Sequence, residues 1–271
     1  MPKLLVLDKN RFQGIPFVLL REFVKSYYVV VPYVLCVECL ISKDSVSLDL
    51  LSRIQKLIRA GAYYGYSPLK LAEQEKKTLS PIDSIIDQNG TNAFLTSILH
   101  DDRNYIEGEA ETYWQIVMPI VKKLLELGEV FYANILKKNL LKDIRTEEND
   151  KMSRLIKWTQ AMDPLWDEFL KRIDPDISLH IKPTWYTWHN IRLRFILGLE
   201  WAYQKAKSGC FPNLNDASHD FHDMQYVAYL SQADGLLTRD EVLVKPLARA
   251  AFPDKAVFAC IEDVPREYRL Q

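Results

Sequence analysis

Four acidic residues occupy positions from which a fold could gather them. Asp8 closes the apolar run KLLVLD at residues 3–8, and Asp240 closes the short apolar run in LLTRD. Glu38 lies in YVLCVECLI with apolar neighbours all round, and Asp223 stands above Tyr226, Val227 and Leu230 at the head of DMQYVAYL. An ionised carboxylate among apolar side chains is costly unless it is paired, hydrogen-bonded or bound to a cation. Hard cations such as Mg²⁺ or Mn²⁺ take oxygen ligands of this kind. Such an ion can stabilise the in-line attack of water on a phosphodiester. Each acid also has a plainer use. Asp8 and Asp240 suit turns or helix caps, and Glu38 suits a salt bridge at a helix edge. Asp223 suits an N-cap, a role for which Asp216 and Asp220 compete. Asp234, in SQADG, belongs to the turn before a strand.

The elements that must position these residues read as follows. KLLVLD and SYYVVVP are buried strands by their apolar, β-branched and aromatic content. FVLLREFVK, residues 17–25, has helical spacing, and Pro32 suits the first turn of a helix over about 33–43. Strand, helix, strand, helix implies a parallel sheet with helices on its faces. In such a sheet, residues that end neighbouring strands point into one crevice at the carboxyl edge. The C-terminal part repeats the rhythm: DMQYVAYLSQ as helix, the LL run as strand, KPLARAAF as helix and KAVFACI as strand. From about 45 to 208 the apolar spacing is almost entirely helical. The expected organisation is therefore an α/β core from 1–45 plus 209–271 and a helical insertion from 46–208. That insertion could grip substrate or join two copies in a homo-oligomer.

Composition limits the alternatives. Among 271 residues, 35 Lys and Arg face 36 Asp and Glu, a formal charge of −1, so any phosphate-binding surface must be local. A 48% hydrophobic content with 26% charged residues argues for a packed core and against disorder. No run approaches ~18 apolar residues, so no membrane partner is expected. The start MPKLLVLDKN lacks the features of a signal peptide, and four cysteines are too few for a disulfide scaffold; a reducing, cytoplasmic setting is the expectation. The C-x-x-C of Cys36 and Cys39 has no second ligand pair, and its apolar flanks suit buried thiols.

Other patterns have two readings each. His219, Asp220, His222 and Asp223 form H-D-x-H-D, which invites a histidine–aspartate phosphohydrolase. That chemistry needs a further helical His, for which only His189 is available, and His189 with Trp185 and Trp188 suits a packing face better. A haloacid-dehalogenase reading of LLVLDKN wants an Asp where Asn10 stands. Lys122 and Lys123, Lys137, Lys138, Lys142 and Arg145, and Arg192 with Arg194 suit either a phosphate backbone or solvated helix faces. Tyr63, Tyr64 and Tyr66 suit base stacking or packing.

Taken in order, LLVLDKNRF, VVVPYVLCVECL, HDMQYVAYLSQADGLLTRDEVL and LARAAFP resemble a PIN-like ribonuclease domain over about 1–45 and 212–262. The resemblance rests on an Asp ending strand one (Asp8), a Pro-marked strand exit followed by a Glu (Pro32, then Glu38), an Asp opening a helix (Asp223), and a T-x-D after a strand (Asp240). It implies a PIN-like parallel sheet and metal-dependent endonucleolysis of single-stranded RNA. Asp8, Glu38, Asp223 and Asp240 would hold Mg²⁺ or Mn²⁺, with Asn10 as a helper through a water. The alternative function is a non-catalytic PIN-like scaffold for RNA binding or protein assembly. The long helical insertion departs from the usual pair of helices.

Overall fold

Short runs of Val and Leu, buried on both sides, build the centre of the molecule. A computed structural model describes residues 3–41, 45–96, 103–137, 151–160 and 181–270. Strand β1 is Leu5–Leu7, β2 Val29–Val31, β3 Tyr63–Tyr64, β4 Gly235–Leu237 and β5 Ala256–Phe258. They form one sheet in the order β3-β2-β1-β4-β5, parallel throughout. Leu5 is in register with Val29 on one side and Gly235 on the other. All residues of β1, β2 and β4 are buried, as expected where helices cover both faces of a parallel sheet.

The helices follow the strands. After β1 come α1 (Lys9–Gly14) and α2 (Phe17–Ser26), and after β2 come α3 (Tyr33–Ile41) and α4 (Ser45–Ala60). Between β3 and β4 lie α5 (Pro68–Thr78), α6 (Gln88–Thr96), α7 (Arg103–Lys137), α8 (Lys151–Gln160), α9 (Tyr186–Ser208) and α10 (Leu214–Ala228). Helix α11 (Val244–Ala251) links β4 to β5. No helix of the described residues is long and apolar enough to cross a membrane.

Two sequence expectations change here. Residues 46–208 are not wholly helical, because Tyr63 and Tyr64 extend the sheet as its edge beside β2. Gly61, with φ of 125°, makes the left-handed turn that ends α4 and starts this strand. Asp223 does not open a helix. The cap of α10 is Asn213, whose Oδ1 accepts from the Asp216 backbone amide at 2.9 Å while its Nδ2 donates to the Asp216 carboxylate at 2.8 Å. Asp223 therefore projects from the middle of α10, with the buried Tyr226 and Val227 beyond it.

Side chains from the long middle stretch and from both ends merge in one core; Leu7, Val30, Ile54, Trp201 and Phe221 all belong to it. Helix α9 runs against α7, where a Cβ added at Gly198 would come within 3.0 Å of the Phe131 ring. Glu75 and Arg154, two buried charges in this region, are engaged. The fully buried Glu75 accepts from the backbone amides of Tyr186 at 2.7 Å and Thr187 at 2.8 Å, closing the start of α9. The Arg154 guanidinium pairs with Glu200 at 2.6 Å and faces the Tyr203 ring 4.0 Å from its centroid.

Replacing Glu75 with Ala leaves the two α9 amides without acceptors in the interior. The expected loss is about 3 kcal/mol, or a fall of roughly 6–12 °C in Tm. Thermal melts of the purified variant check it, and an unchanged Tm would show that water replaces the carboxylate.

Candidate active site

The strand order reverses between β1 and β4, since α1 and α2 lead away to β2 on one side while β4 joins β1 on the other. At such a switch point the carboxyl ends of the two strands open into a crevice. Asp8 follows β1 directly, and Thr238 follows β4 directly. Two backbone bonds lock these exits: the Asp8 amide donates to Leu237 O at 3.1 Å and the Thr238 amide to Phe258 O at 2.9 Å.

Thr238 is fully buried and ties the two strand ends together. Its hydroxyl donates to Asp8 Oδ2 at 2.6 Å and accepts from the Asp240 amide at 3.0 Å. The other oxygen of Asp8, Oδ1, is buried and has no hydrogen-bond partner. Asp8 as a whole is 1% exposed. Desolvation pushes its carboxyl up to about 6; the Thr238 hydroxyl and the Lys9 backbone amide pull it down, while Glu38 and Asp240 push it further up.

Glu38 reaches the same place from α3. Its Oε2 accepts from the buried Tyr226 hydroxyl, and its Oε1 lies 3.4 Å from Lys9 Nζ. The plainer reading of Glu38 as a paired, hydrogen-bonded acid thus holds, and the pairing sits inside the crevice. Asp240 is likewise both a cap and a neighbour of the site. Its Oδ1 accepts from the amides of Val242, Leu243 and Val244, while Oδ2 meets Asn10 Nδ2 at 3.5 Å. Asp223 has no such support: none of the described residues donates a side-chain or cap hydrogen bond to its carboxylate. Burial first, then the charges of Glu38, Asp240 and Asp8, push its carboxyl up to about 9. The four acids named from the sequence therefore lie within electrostatic reach of one another, although Glu38 and Asp223 are far apart in the chain.

Thr238, Tyr226 and Lys9 were not singled out from the sequence. Thr238 was visible as the first residue of T-x-D, and Lys9 as the neighbour of Asp8. The Tyr226 contact had no local signal, because it depends on α3 and α10 meeting across the sheet edge.

The residues fit a divalent cation in one respect and not in another. An unpartnered buried carboxylate oxygen beside three further carboxylates is the donor chemistry Mg²⁺ or Mn²⁺ requires. Among the described residues, however, no three His, Cys, Asp or Glu side chains stand as a ready metal cage. Mg²⁺ commonly uses one or two carboxylates together with waters and substrate phosphates, so a complete protein cage is not what its site demands.

The other patterns resolve as packing. His222 is buried between Tyr113, 5.8 Å away in a stacked arrangement, and the edge of Trp114; burial holds its imidazole down at about 3. Asp220 accepts from Trp201 Nε1 at 2.8 Å and His219 is exposed, so H-D-x-H-D does not converge on one point. His189 packs against Phe252 at 4.8 Å and against Trp188. Trp185 is buried at the start of α9. Cys36 and Cys39 are buried free thiols, and burial pushes Cys39 up to about 12. Arg192 donates to Ala251 O, and Arg194 faces the Phe221 ring, so neither serves as a free phosphate grip. Lys122 and Lys123 are exposed on α7. The side chain of Lys137 and all of Lys138, Lys142 and Arg145 lie outside the described residues. Tyr63 and Tyr64 pack against Tyr28 and Phe94, and the Tyr66 carbonyl accepts from Tyr229. Asp234 holds the opposite edge of the sheet, accepting from the Leu4 amide at 2.8 Å.

Comparison with known proteins returns no match to any family model, curated protein or solved structure.

Asp8 and Asp223 bind their protons more tightly folded than unfolded, where a carboxyl titrates near ~4. Their contribution to stability is complete below that value and is lost as pH rises through about 6 for Asp8 and about 9 for Asp223. In chelator-treated protein, Asp223→Asn should therefore raise Tm by roughly 3 °C or more at pH 8.5 and by much less at pH 4.5. Equal shifts at both pH values would mean that Asp223 carries no repulsion.

Proposed function

We propose that this chain is a divalent-cation-dependent endoribonuclease with a PIN-like core, hydrolysing phosphodiester bonds of single-stranded RNA. Asp8, Glu38, Asp223 and Asp240 would hold the Mg²⁺ or Mn²⁺. The observation that carries the reading is Asp8: a carboxylate 1% exposed, with one buried oxygen that no hydrogen bond satisfies, within electrostatic reach of Glu38, Asp240 and Asp223 at the point where the strand order reverses. Such an arrangement is unfavourable until positive charge enters it. The parallel sheet, its strand order and the acids at its carboxyl edge support the PIN-like assignment, which rests on resemblance. Four free thiols support a reducing, cytoplasmic setting.

The roles follow from how each acid is held. Asp8 is fixed by the Thr238 hydroxyl at one oxygen, while the other, buried and without a hydrogen bond, would be left for the cation. Asp223 faces it from the middle of α10 without donors of its own, and these two are the natural direct ligands. A bound divalent cation supplies Lewis-acid stabilisation of the charge that develops on the phosphoryl oxygens. Glu38, oriented by Tyr226 and Lys9, flanks the centre and is suited to orienting the attacking water. Asp240 and Asn10, joined at 3.5 Å, border the opposite side. Asp223, pushed up to about 9, would have to give up a proton to bind a cation, so loading would release protons at neutral pH.

The scaffold reading is favoured by a different observation. Glu38 and Asp240 are satisfied within the chain, and no ready cage stands among the described residues. Substitution and metal titration separate the two readings. Under the nuclease reading Mn²⁺ raises Tm, and Asp8→Asn abolishes cleavage of single-stranded RNA without lowering the metal-free Tm. Mn²⁺ should then shift the variant's Tm far less than the wild type's. A wild-type protein that neither gains stability from Mn²⁺ nor cleaves RNA is the scaffold.

A further inference from the structure

Two arginines stand close in sequence to the acids of the strand exits, Arg11 after Asp8 and Arg239 before Asp240. Arg11 projects from the last turn of α1 and is 4% exposed, yet its Nε and Nη1 are buried with no hydrogen-bond partner. A guanidinium keeps its charge in proteins, so this one is a buried cation with most of its donors idle. That state is costly unless an anion completes it.

Its surroundings sharpen the point. The charged group acting most strongly on Arg11 is another cation, Arg239, which stands between Thr238 and Asp240 at the exit of β4 and is exposed. Burial and this like charge together lower the proton affinity of Arg11. Cys260, Glu262 and Asp263, beyond β5, act on it in the opposite sense, but none forms an ion pair or hydrogen bond with it. The carboxylates of the crevice are drawn elsewhere: Asp8 to Thr238, Asp240 to the amides that precede α11 and to Asn10. Arg154, also buried, is by contrast satisfied by Glu200.

We propose that Arg11 and Arg239 form a phosphate subsite for a single strand of nucleic acid, one position along the backbone from the phosphate that sits at the four carboxylates. Strand placement is the reason. Arg11 lies three residues beyond Asp8 and Arg239 one residue before Asp240, so the same two strand exits deliver both the acids and the bases. A strand lying along the carboxyl edge of β1 and β4 would run over both kinds of charge. Guanidinium groups bind phosphate oxygens through paired N–H donors. The class of ligand rests on the nuclease reading above; the unpartnered guanidinium does not.

The test is binding of a fluorescein-labelled oligouridylate by anisotropy, in chelator so that no cleavage occurs, across a range of salt. Arg239→Gln lies on the surface, and its Tm should match the wild type. It is expected to weaken binding at least about fivefold and to reduce the slope of log K against log salt by about 0.7, one single-strand phosphate contact. Arg11→Lys, which keeps the charge but loses the planar fork, should weaken binding with little change in slope. Lys207→Gln, which removes an exposed charge on α9, should change neither. Equal affinity and slope for Arg239→Gln and wild type overturn the subsite even if the Mn²⁺-loaded enzyme cleaves RNA. Arg239-dependent binding by a protein that never cleaves leaves the subsite standing and removes the nuclease reading. A wild-type protein that ignores the oligouridylate but binds poly-glutamate in an Arg239-dependent way overturns the nucleic-acid ligand.

Discussion

Like charge confined at the edge of a buried sheet is the constraint on which the functional reading depends. Two strands leave the sheet side by side, and the chain places a carboxylate at or just beyond each exit. A third comes from α3 and a fourth from the middle of α10. Desolvation and mutual repulsion together push Asp223 up to about 9 and Asp8 up to about 6. Both groups are therefore disfavoured in their ionised form by their position in the folded chain.

The contrast with the other buried acids gives this weight. Glu75 is completely enclosed and receives two backbone amides at the start of α9. Glu200 receives Arg154 and the Trp158 indole. Asp87 receives the Gly90 amide and Lys70. These are acids built into the scaffold, each matched to donors. Asp8 keeps one oxygen unpartnered, and Asp223 receives no donor on its carboxylate from the described residues. Within one protein the same residue types are thus divided between structural and unsatisfied, and the unsatisfied ones gather at the switch point.

The same logic extends to the basic side. A buried guanidinium with two idle nitrogens, acted on by a second guanidinium, is the mirror of the crowded carboxylates. Both sets of charges stand at the same pair of strand exits, which is why the two proposals concern one site. The joint between them is Thr238, whose single hydroxyl touches both Asp8 and the Asp240 backbone. The middle helices contribute at a distance, since Tyr226 on α10 orients Glu38 on α3.

Much of this was legible in the chain itself. The buried strands at Leu5–Leu7, Val29–Val31, Gly235–Leu237 and Ala256–Phe258 stand in apolar runs whose composition fits a covered parallel sheet. The acids were legible because each sits beside such a run, where charge is out of place. Tyr63–Tyr64 escaped, since two residues carry no periodicity and only pairing with β2 makes them a strand. The position of Asp223 within its helix escaped as well, because Asn213, further upstream, captures the cap. Which carboxylates find donors, which way Arg11 faces and whether Glu38 meets Tyr226 were decided by the tertiary structure alone. Residue type and local spacing set what a side chain can do, whereas desolvation and pairing depend on neighbours that the fold brings in from more than two hundred positions away, as Thr238 is brought to Asp8.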